Sequence, residues 1–166
     1  MASSPPAARS ISPASASAWW SRRARRIRTS APSAAFKNAL LAAKSVAYIE
    51  PESGGSSGIY IEKLLVKLGI AEQIKPKTRL KQGGYVADLI ANGQAELGIH
   101  QISEIVPVKG VSLVGPLPKE IQNTTTYAAG ISASTKNKVA AEALIKTLSS
   151  SAARDVLKAK GMDPAS

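Results

Sequence analysis

The chain has 166 residues, of which 44 % are hydrophobic, and no cysteine, so its length suits one domain and no disulfide or thiolate metal site is possible. A single histidine excludes a histidine-rich metal site, and no stretch approaches the roughly 20 apolar residues of a membrane span. The net charge of +11 is concentrated near the start, because six of the eight arginines precede residue 30.

Residues 1–32 form a basic segment rich in Ser, Ala, Pro and Arg. This segment shows no apolar periodicity, so we predict that it is disordered and that residues 33–166 form the folded domain. No apolar stretch of a secretory signal follows the arginines, so the chain as given is expected in the cytoplasm. A transit peptide, an out-of-frame reading of GC-rich codons and an ordinary extension are the three explanations of the segment.

Beyond this segment, the hydrophobic pattern predicts alternating helices and strands. In chain order they are a helix at 33–44, a strand at 45–49, a helix at 58–68, a strand at 78–81, a helix at 85–91, a strand at 96–100, a helical turn at 103–106, strands at 111–114 and 125–131, and helices at 137–148 and 152–160. The helix at 58–68 has the clearest helical spacing, and Gly69 follows it as a C′ residue. The alternation predicts an α/β fold with a mainly parallel sheet flanked by helices.

Two loops share one pattern, in which a strand ends, glycines turn the chain and a helix begins. They are residues 50–58 (EPESGGSSG) and residues 81–85 (KQGGY). Helix N-termini present unpaired N–H groups and partial positive charge, and serine hydroxyls add donors. In a parallel sheet both loops fall at the carboxyl ends of strands, where ligands bind. The pattern predicts a site that holds an oxyanion with neutral donors, and plain turn and capping chemistry is the alternative.

Enzymatic chemistry is not indicated. Neither GxxxxGK[ST] nor GxGxxG occurs, so the loops are not nucleotide motifs. His100 ends an apolar strand without a nucleophile or acid arranged around it, and we interpret it as structural. We therefore predict no catalytic residues, no metal and no cofactor. The alternative function is a basic arm that binds nucleic acid or an acidic partner, although the clustered charge lies in the arm and not in the domain.

Four segments carry a family resemblance. They are SVAYIEPESGGSSGIYIEKLLVKLGI, GGYVADLIANGQAELGIHQISEI, VKGVSLVGPLPKEIQ and AAEALIKTLSSSAARDVLKAKGMDP, at residues 45–70, 83–105, 108–122 and 140–164. Together they resemble the molybdate-type solute-binding proteins of ABC transporters, which have the type II periplasmic binding protein fold. The matches follow in order over about 130 residues. They correspond to the second of the two lobes and the C-terminal return to the first, and the first lobe has no counterpart.

The resemblance also implies ligand-binding residues. In molybdate binders, backbone N–H groups come from the loop before GIY and from the loop before the next helix, positions that match Ser57 and Gly83. A tyrosine hydroxyl is expected two residues after LGI, where this chain has Gln101. The predicted site therefore consists of Ser53, Ser56, Ser57, Gly58, Gly83 and Gln101.

Partners and location follow from the same resemblance. The family implies a small oxyanion ligand, an ABC transporter permease as partner and a periplasmic location. Without a counterpart of the first lobe, we expect anion binding of roughly millimolar affinity. We also expect self-association through the apolar surface that the first lobe covers in the family.

Overall fold

The computed structural model describes residues 14–21 and 32–163. The chain divides into two compact units. Residues 16–124 form the larger unit, and the described part of the smaller unit consists of residues 14–15 and 125–163. None of the described helices is long and apolar enough to cross a membrane.

Five strands run through the larger unit. In chain order they are β1 (Ala14–Ser21), β2 (Val46–Ile49), β3 (Thr78–Lys81), β4 (Leu97–Gln101) and β5 (Ser112–Pro116). Their spatial order is β3-β2-β4-β1-β5. The central strand β2 is parallel to β3 and β4, whereas β1 is antiparallel to β4 and β5. Four of these five strands therefore run in one direction, with β1 as the exception, and the predicted α/β class with a mainly parallel sheet is confirmed.

Helices cover both faces of this sheet. Those described are α1 (Pro32–Ala42), α2 (Ser56–Lys67), α3 (Ala71–Ile74), α4 (Ala87–Ala91) and α5 (Ile102–Ile105), with 3-10 turns at Pro51–Ser53, Lys75–Lys77 and Lys119–Ile121. Val46 and Tyr48 pack with α1, α2 and α3, and Ala47 and Ile49 pack with α4 and α5. All four residues of β2 are buried. Burial on both faces explains why this strand is a continuous apolar run without polar alternation.

The end of α2 follows the glycine pattern that the sequence indicates. Gly69 has a φ of +66°, and its N–H donates to the carbonyl of Val66 at 2.9 Å. The N–H of Ile70 returns to the carbonyl of Leu65 at 3.0 Å. These two bonds satisfy carbonyls of the last helical turn, and glycine takes the left-handed conformation without a Cβ penalty.

One lysine fixes the end of α1. The Nζ of Lys77 donates to the carbonyl oxygens of Leu40, Leu41 and Ala43, at distances of 2.9, 2.7 and 2.8 Å. The last carbonyls of a helix lack intrahelical donors and carry partial negative charge. An ammonium at this place therefore caps α1 from the turn that leads into β3.

The prediction that residues 1–32 are disordered is wrong for residues 14–21, which form β1. This strand pairs with β4 from Ser17 opposite Gln101 to Ser21 opposite Leu97, and with β5 on its other side. The sequence ASASAWWS consists mostly of alanine and serine, which give weak strand signals. The ladder partners lie 76 to 98 residues away in the sequence, so no local pattern reveals them. Residues 1–13 and 22–31 lie outside the described residues.

The smaller unit contains two helices among its described residues, α6 (Lys138–Leu148) and α7 (Ser151–Ala159). The Ser150 side chain caps α7 by accepting the N–H of Ala153 at 3.2 Å. The strand predicted at 125–131 is wrong beyond residue 126, because β6 covers only Thr124–Thr126. The residues that follow, Tyr-Ala-Ala-Gly, include three small residues that add little cross-strand packing.

Candidate anion-binding site

Three parallel strands end at one edge of the sheet. Ile49 at the end of β2 is in register with Lys81 at the end of β3. The N–H of Glu50 still donates to the carbonyl of Lys81 at 3.0 Å, so the two strands separate only after this bond. On the other side of β2, the pairs Val46–Leu97 and Ala47–Gly98 align β4. The two glycine-containing loops therefore leave adjacent strands at the same edge, as parallel pairing requires.

The loop after β2 leads directly into a long helix. After the 3-10 turn Pro51–Ser53, Gly54 has a φ of +79°, and Gly55 is the N-cap of α2 with extended backbone angles. Ser53 is exposed, and its hydroxyl donates to the carbonyl of Glu50 at 2.7 Å. Ser56 is exposed and Ser57 is buried. The three serines therefore differ, and Ser56 and Ser57 lie on the first turn of α2.

The first turn of α2 presents backbone donors. The N–H of Ile59 donates to the carbonyl of Gly55 at 3.2 Å, which is the first bond of this helix. The amides of Ser56, Ser57 and Gly58 precede that bond and have no acceptor within the helix. Gly55 has no side chain that caps them. With 12 residues behind it, this turn carries the positive end of a full helix dipole.

Gly58 brings the helix close to the strand end. A Cβ at this position would overlap the carbonyl oxygen of Ile49 and would lie 3.3 Å from the carbonyl carbon of Glu50. A Cβ at Gly55 would lie 2.5 Å from Cγ2 of Ile49. Both glycines therefore allow the start of α2 to rest against the end of β2, and Gly58 has a packing role whether or not it contacts a ligand.

The loop after β3 has a different structure. A Cβ at Gly83 would meet no atom within 4 Å, and Gly84, with a φ of +68°, is the residue that needs to be glycine. The predicted helix at 85–91 begins later, since α4 starts at Ala87 and has only five residues. The Gly83 amide is therefore not on the first turn of a helix. Gly83 is exposed, and its open surroundings admit a ligand but do not position one.

An ion pair spans this second loop. The Nζ of Lys81, at the end of β3, lies 2.7 Å from Oδ2 of Asp88 on α4. Both side chains are partly exposed, with 27 % and 43 % of their surface accessible. Asp88 thus pairs with Lys81, the cation of this loop.

The end of β4 contributes two buried polar residues. Gln101, the predicted substitute for a tyrosine, is buried at the last position of β4 and already has an interaction partner. His100 is 7 % exposed, and its Nδ1 is buried with no hydrogen-bond partner in the described part of the chain. Burial lowers the pKa of His100 to about 4, so its imidazole is neutral near pH 7. The sequence indicates only that this histidine ends an apolar strand, and the unpaired nitrogen becomes visible in the structure.

The described residues contain no group of three or more His, Cys, Asp or Glu side chains that could hold a metal ion. What the edge of the sheet offers is a set of neutral donors. They comprise the first amides of α2, the nearby serine hydroxyls and the amides of the Gly83 loop. Neutral donors at a helix N-terminus bind anions without a balancing cation.

A sequence profile of bacterial extracellular solute-binding proteins matches residues 7–163. The chain belongs to this family. An aconitate isomerase from a Pseudomonas species is 32 % identical over 131 residues, which are 78 % of this chain and 48 % of the isomerase. The family match also includes β1, which lies in the segment predicted to be disordered.

Two solved structures share the fold of this solute-binding chain. One, described as the substrate-binding domain of a molybdenum ABC transporter from Clostridium difficile, gives a TM-score of 0.68 at 18 % identity, over 95 % of this chain and 65 % of that one. The periplasmic molybdate-binding protein of Azotobacter vinelandii gives a TM-score of 0.63 at 18 % identity, over 92 % and 65 %. The periplasmic-binding-protein fold implied by the sequence resemblance is thereby confirmed. The chain spans 48 % of the isomerase and 65 % of each of these two structures.

Proposed function

We propose that this chain is the substrate-binding component of an ABC importer and binds a small oxyanion such as molybdate at the carboxyl edge of β2, β3 and β4. The observation that carries the proposal is the start of α2, a 12-residue helix with a glycine N-cap whose first amides have no acceptor within the helix. Family membership and the shared fold support it. The family also supports a location outside the cytoplasmic membrane and a permease as partner.

In this proposal the ligand oxygens accept hydrogen bonds from the amides of Ser56 and Ser57 and from their hydroxyls. The Gly83 amide and Gln101 complete the site from the neighbouring strand ends. Ser53 belongs to the same loop, and its hydroxyl is held by Glu50. Gly58 acts by allowing the first turn of α2 to lie against Ile49. Bonds from neutral donors to an anion are charge-assisted and are stronger than bonds between neutral groups.

The amide and the hydroxyl of Ser56 can be tested together, because proline has neither donor. Proline is tolerated at the first position of a helix, where it removes only an N–H that has no intrahelical partner. Ser56 is that position in α2, and the residue before it has the extended backbone that proline requires. We expect Ser56→Pro to weaken molybdate binding about tenfold, as measured by amide chemical-shift titration.

The matched control is Ser151→Pro. Ser151 is the first residue of α7, and Ser150 before it is also extended. The same chemical change at this helix should leave molybdate binding unaltered. Equal affinity of Ser56→Pro and the parent chain for molybdate would remove the start of α2 from the site.

A second candidate function rests on the isomerase relative. Its 32 % identity favours a tricarboxylate as ligand, with isomerisation as a further step. Carboxylates and molybdate both present oxygen acceptors, so the same donors would serve either ligand.

Incubation of the chain with cis-aconitate, followed by proton NMR for the trans isomer, separates the functions. Turnover supports the enzyme, whereas saturable binding without turnover supports the binding protein.

We also propose that the chain self-associates through α6 and α7. Neither helix has a buried residue, and their exposed apolar side chains include Val139, Leu144 and Val156. Val139 is 81 % exposed. Exposed apolar side chains favour association where they form one patch, which is what the proposal requires. Light scattering of the parent chain and of Val139→Lys together with Leu144→Lys should show a larger mass for the parent, and a monomeric parent would refute association.

A further inference from the structure

Lys81 places an ammonium group in the second of the two loops. Its Nζ donates to Oδ2 of Asp88 at 2.7 Å, and 27 % of its side chain is exposed. An ammonium has three N–H donors, and the structure records no second acceptor for this Nζ among the residues it describes. Two donors are therefore left for water or for a ligand that enters the loop.

The Lys81 backbone lies beside the start of the first loop. Lys81 is the register partner of Ile49, and its carbonyl oxygen accepts the N–H of Glu50 at 3.0 Å. Register partners on parallel strands direct their side chains to the same face of the sheet, so Lys81 lies on the face of Ile49. A Cβ at Gly55, the N-cap of α2, would lie 2.5 Å from Cγ2 of Ile49. The Ile49 side chain therefore joins the start of α2 to the strand end that carries Lys81.

Gly84 leaves room for the ammonium in the turn. This glycine has a φ of +68°, and a Cβ there would lie 3.7 Å from Cε and 4.0 Å from Nζ of Lys81. The ammonium therefore lies beside the residue that follows Gly83, whose amide belongs to the proposed site. The second loop thus offers a positive charge in addition to its backbone amides.

Asp88 offsets this charge. The ammonium and the carboxylate form a pair without net charge, and both side chains are partly exposed. Exposed pairs of this kind stabilise a fold only slightly, so a third group can share the ammonium at little cost. An anion that approaches the remaining donors of Lys81 is attracted by the ammonium and repelled by the carboxylate. Both energies are proportional to the charge of the ligand.

We propose that the anion held at the carboxyl edge of β2 and β3 accepts a hydrogen bond from Nζ of Lys81, and that Asp88 limits this attraction by offsetting the ammonium. This inference rests on the proposed function and adds a charged contact to its neutral donors. Lys81 is then a ligand-binding residue, and Asp88 is a positioning residue that acts through it. Anions with two or more negative charges compete best with Asp88 for the ammonium, so they are the ligands that the site favours.

Molybdate and perrhenate separate charge from shape, because they are tetrahedral oxyanions of similar size that carry two charges and one charge. The full chain is titrated with each sodium salt at pH 7 and one low ionic strength, and the amide shifts of Ser57 and Gly83 are followed. We expect Asp88→Asn to strengthen molybdate binding about fourfold and perrhenate binding about twofold, since the repulsion that it removes is proportional to the ligand charge. No gain for either anion would overturn the role of Asp88.

Removal of the ammonium has the opposite effect. Methionine keeps an unbranched chain that can pack beside Gly84, but it has no charge and no N–H donor. We expect Lys81→Met to weaken molybdate binding about tenfold and perrhenate binding about threefold. A merely structural role of Lys81 would change the two affinities by the same factor, so equal factors would contradict the proposed contact.

A second ion pair among the described residues provides the matched control. Nζ of Lys138 lies 3.9 Å from Oε1 of Glu142 on α6, and neither residue belongs to the proposed site. Glu142→Gln releases an ammonium and raises the net charge by one, as Asp88→Asn does. We expect it to leave both affinities within about 1.5-fold of the parent values. An equal gain from Glu142→Gln and Asp88→Asn would mean that net charge alone acts, and the role of Asp88 would be lost.

Failure of this inference is distinguishable from failure of the proposed function. If the Ser57 and Gly83 amides respond to molybdate with the same affinity in the parent, Lys81→Met and Asp88→Asn chains, the anion site stands and the roles of Lys81 and Asp88 are overturned. If neither amide of the parent chain responds to either anion, the proposed function fails and this inference fails with it.

Discussion

The loops after β2 and β3 share one sequence pattern but differ in structure. In the first loop, Gly55 and Gly58 pack against Ile49, and a 12-residue helix begins there. In the second loop, a Cβ at Gly83 would meet no atom within 4 Å, and the helix that follows has five residues. A glycine-rich turn before a helix therefore does not by itself determine how closely the helix start packs on the preceding strand. The length of the helix and the closeness of its packing determine how well the amides are held in place.

The largest expected difference between the loops is in stability. Gly58→Ala forces a Cβ onto the carbonyl oxygen of Ile49, whereas a Cβ at Gly83 meets open space. We expect Gly58→Ala to lower the free energy of unfolding by about 3 kcal/mol and Gly83→Ala to change it by less than about 0.5 kcal/mol. Urea denaturation measures both. Similar costs at the two positions would mean that the loops do not differ in this way.

A second test concerns acid stability at the end of β4, the neighbour of β2 in the sheet. The folded-state pKa of His100 is about 4, below the usual value of 6.5. The unfolded chain therefore binds the proton first as pH falls, and stability is lost between about pH 6.5 and 4. At pH 5 the loss is about 2 kcal/mol relative to pH 7.

The control for this pH dependence is His100→Phe, which keeps a ring but does not titrate. Urea midpoints at pH 7 and pH 5 give the loss for each chain, and carboxylate effects are common to both. The loss in the parent should exceed that in the variant by about 2 kcal/mol. Equal losses of stability between pH 7 and pH 5 in the two chains would show that His100 is not buried in its neutral form.

A smaller effect is expected on ligand binding at the second loop. Gly83→Val adds a branched side chain at an exposed position that has free space around it. We expect the anion affinity to fall about threefold while the urea midpoint stays nearly constant, because the open surroundings of Gly83 do not hold its amide in place for the anion. Chemical-shift titration with molybdate measures the first quantity. Undiminished binding would remove Gly83 from the site.

The smallest effect concerns the ion pair across the second loop. Both Lys81 and Asp88 are partly exposed, so water and salt screen their attraction. We expect Asp88→Asn to change the free energy of unfolding by about 0.5 kcal/mol or less. A loss above about 1.5 kcal/mol in urea denaturation would show that this loop is held as rigidly as the first.

Local sequence signals predicted most of the larger unit. The strand Thr78–Lys81 is confirmed at its predicted bounds, and α2 is confirmed with its Gly69 terminus, because apolar spacing and glycine conformation are local properties. The strand β1 was not predicted, because its partners are distant in the sequence. The start of α4 was predicted two residues too early, at Tyr85, since Gly84 with its positive φ and the exposed Tyr85 belong to the turn.

The candidate site was only partly predictable, because some of its features depend on contacts that only the folded chain makes. Parallel pairing places the two loops at one edge, as the strand-and-helix alternation indicates. The close packing of Gly58 on Ile49 depends on atoms nine residues apart that only the folded backbone brings together. The unpaired Nδ1 of His100 likewise results from burial by several elements, and no sequence pattern reports it.

The Lys77 contact at the end of α1 has a consequence for chemical labelling. An ammonium group has three N–H donors, and those of Lys77 match the three carbonyl oxygens that it contacts. An acylating reagent replaces these donors with a bulky amide, so it reacts only with molecules in which the end of α1 has opened. Lys77 should therefore be acylated more slowly than the exposed Lys63 and Lys67 of α2. The rate at this one amine reports how often α1 leaves its place in the fold.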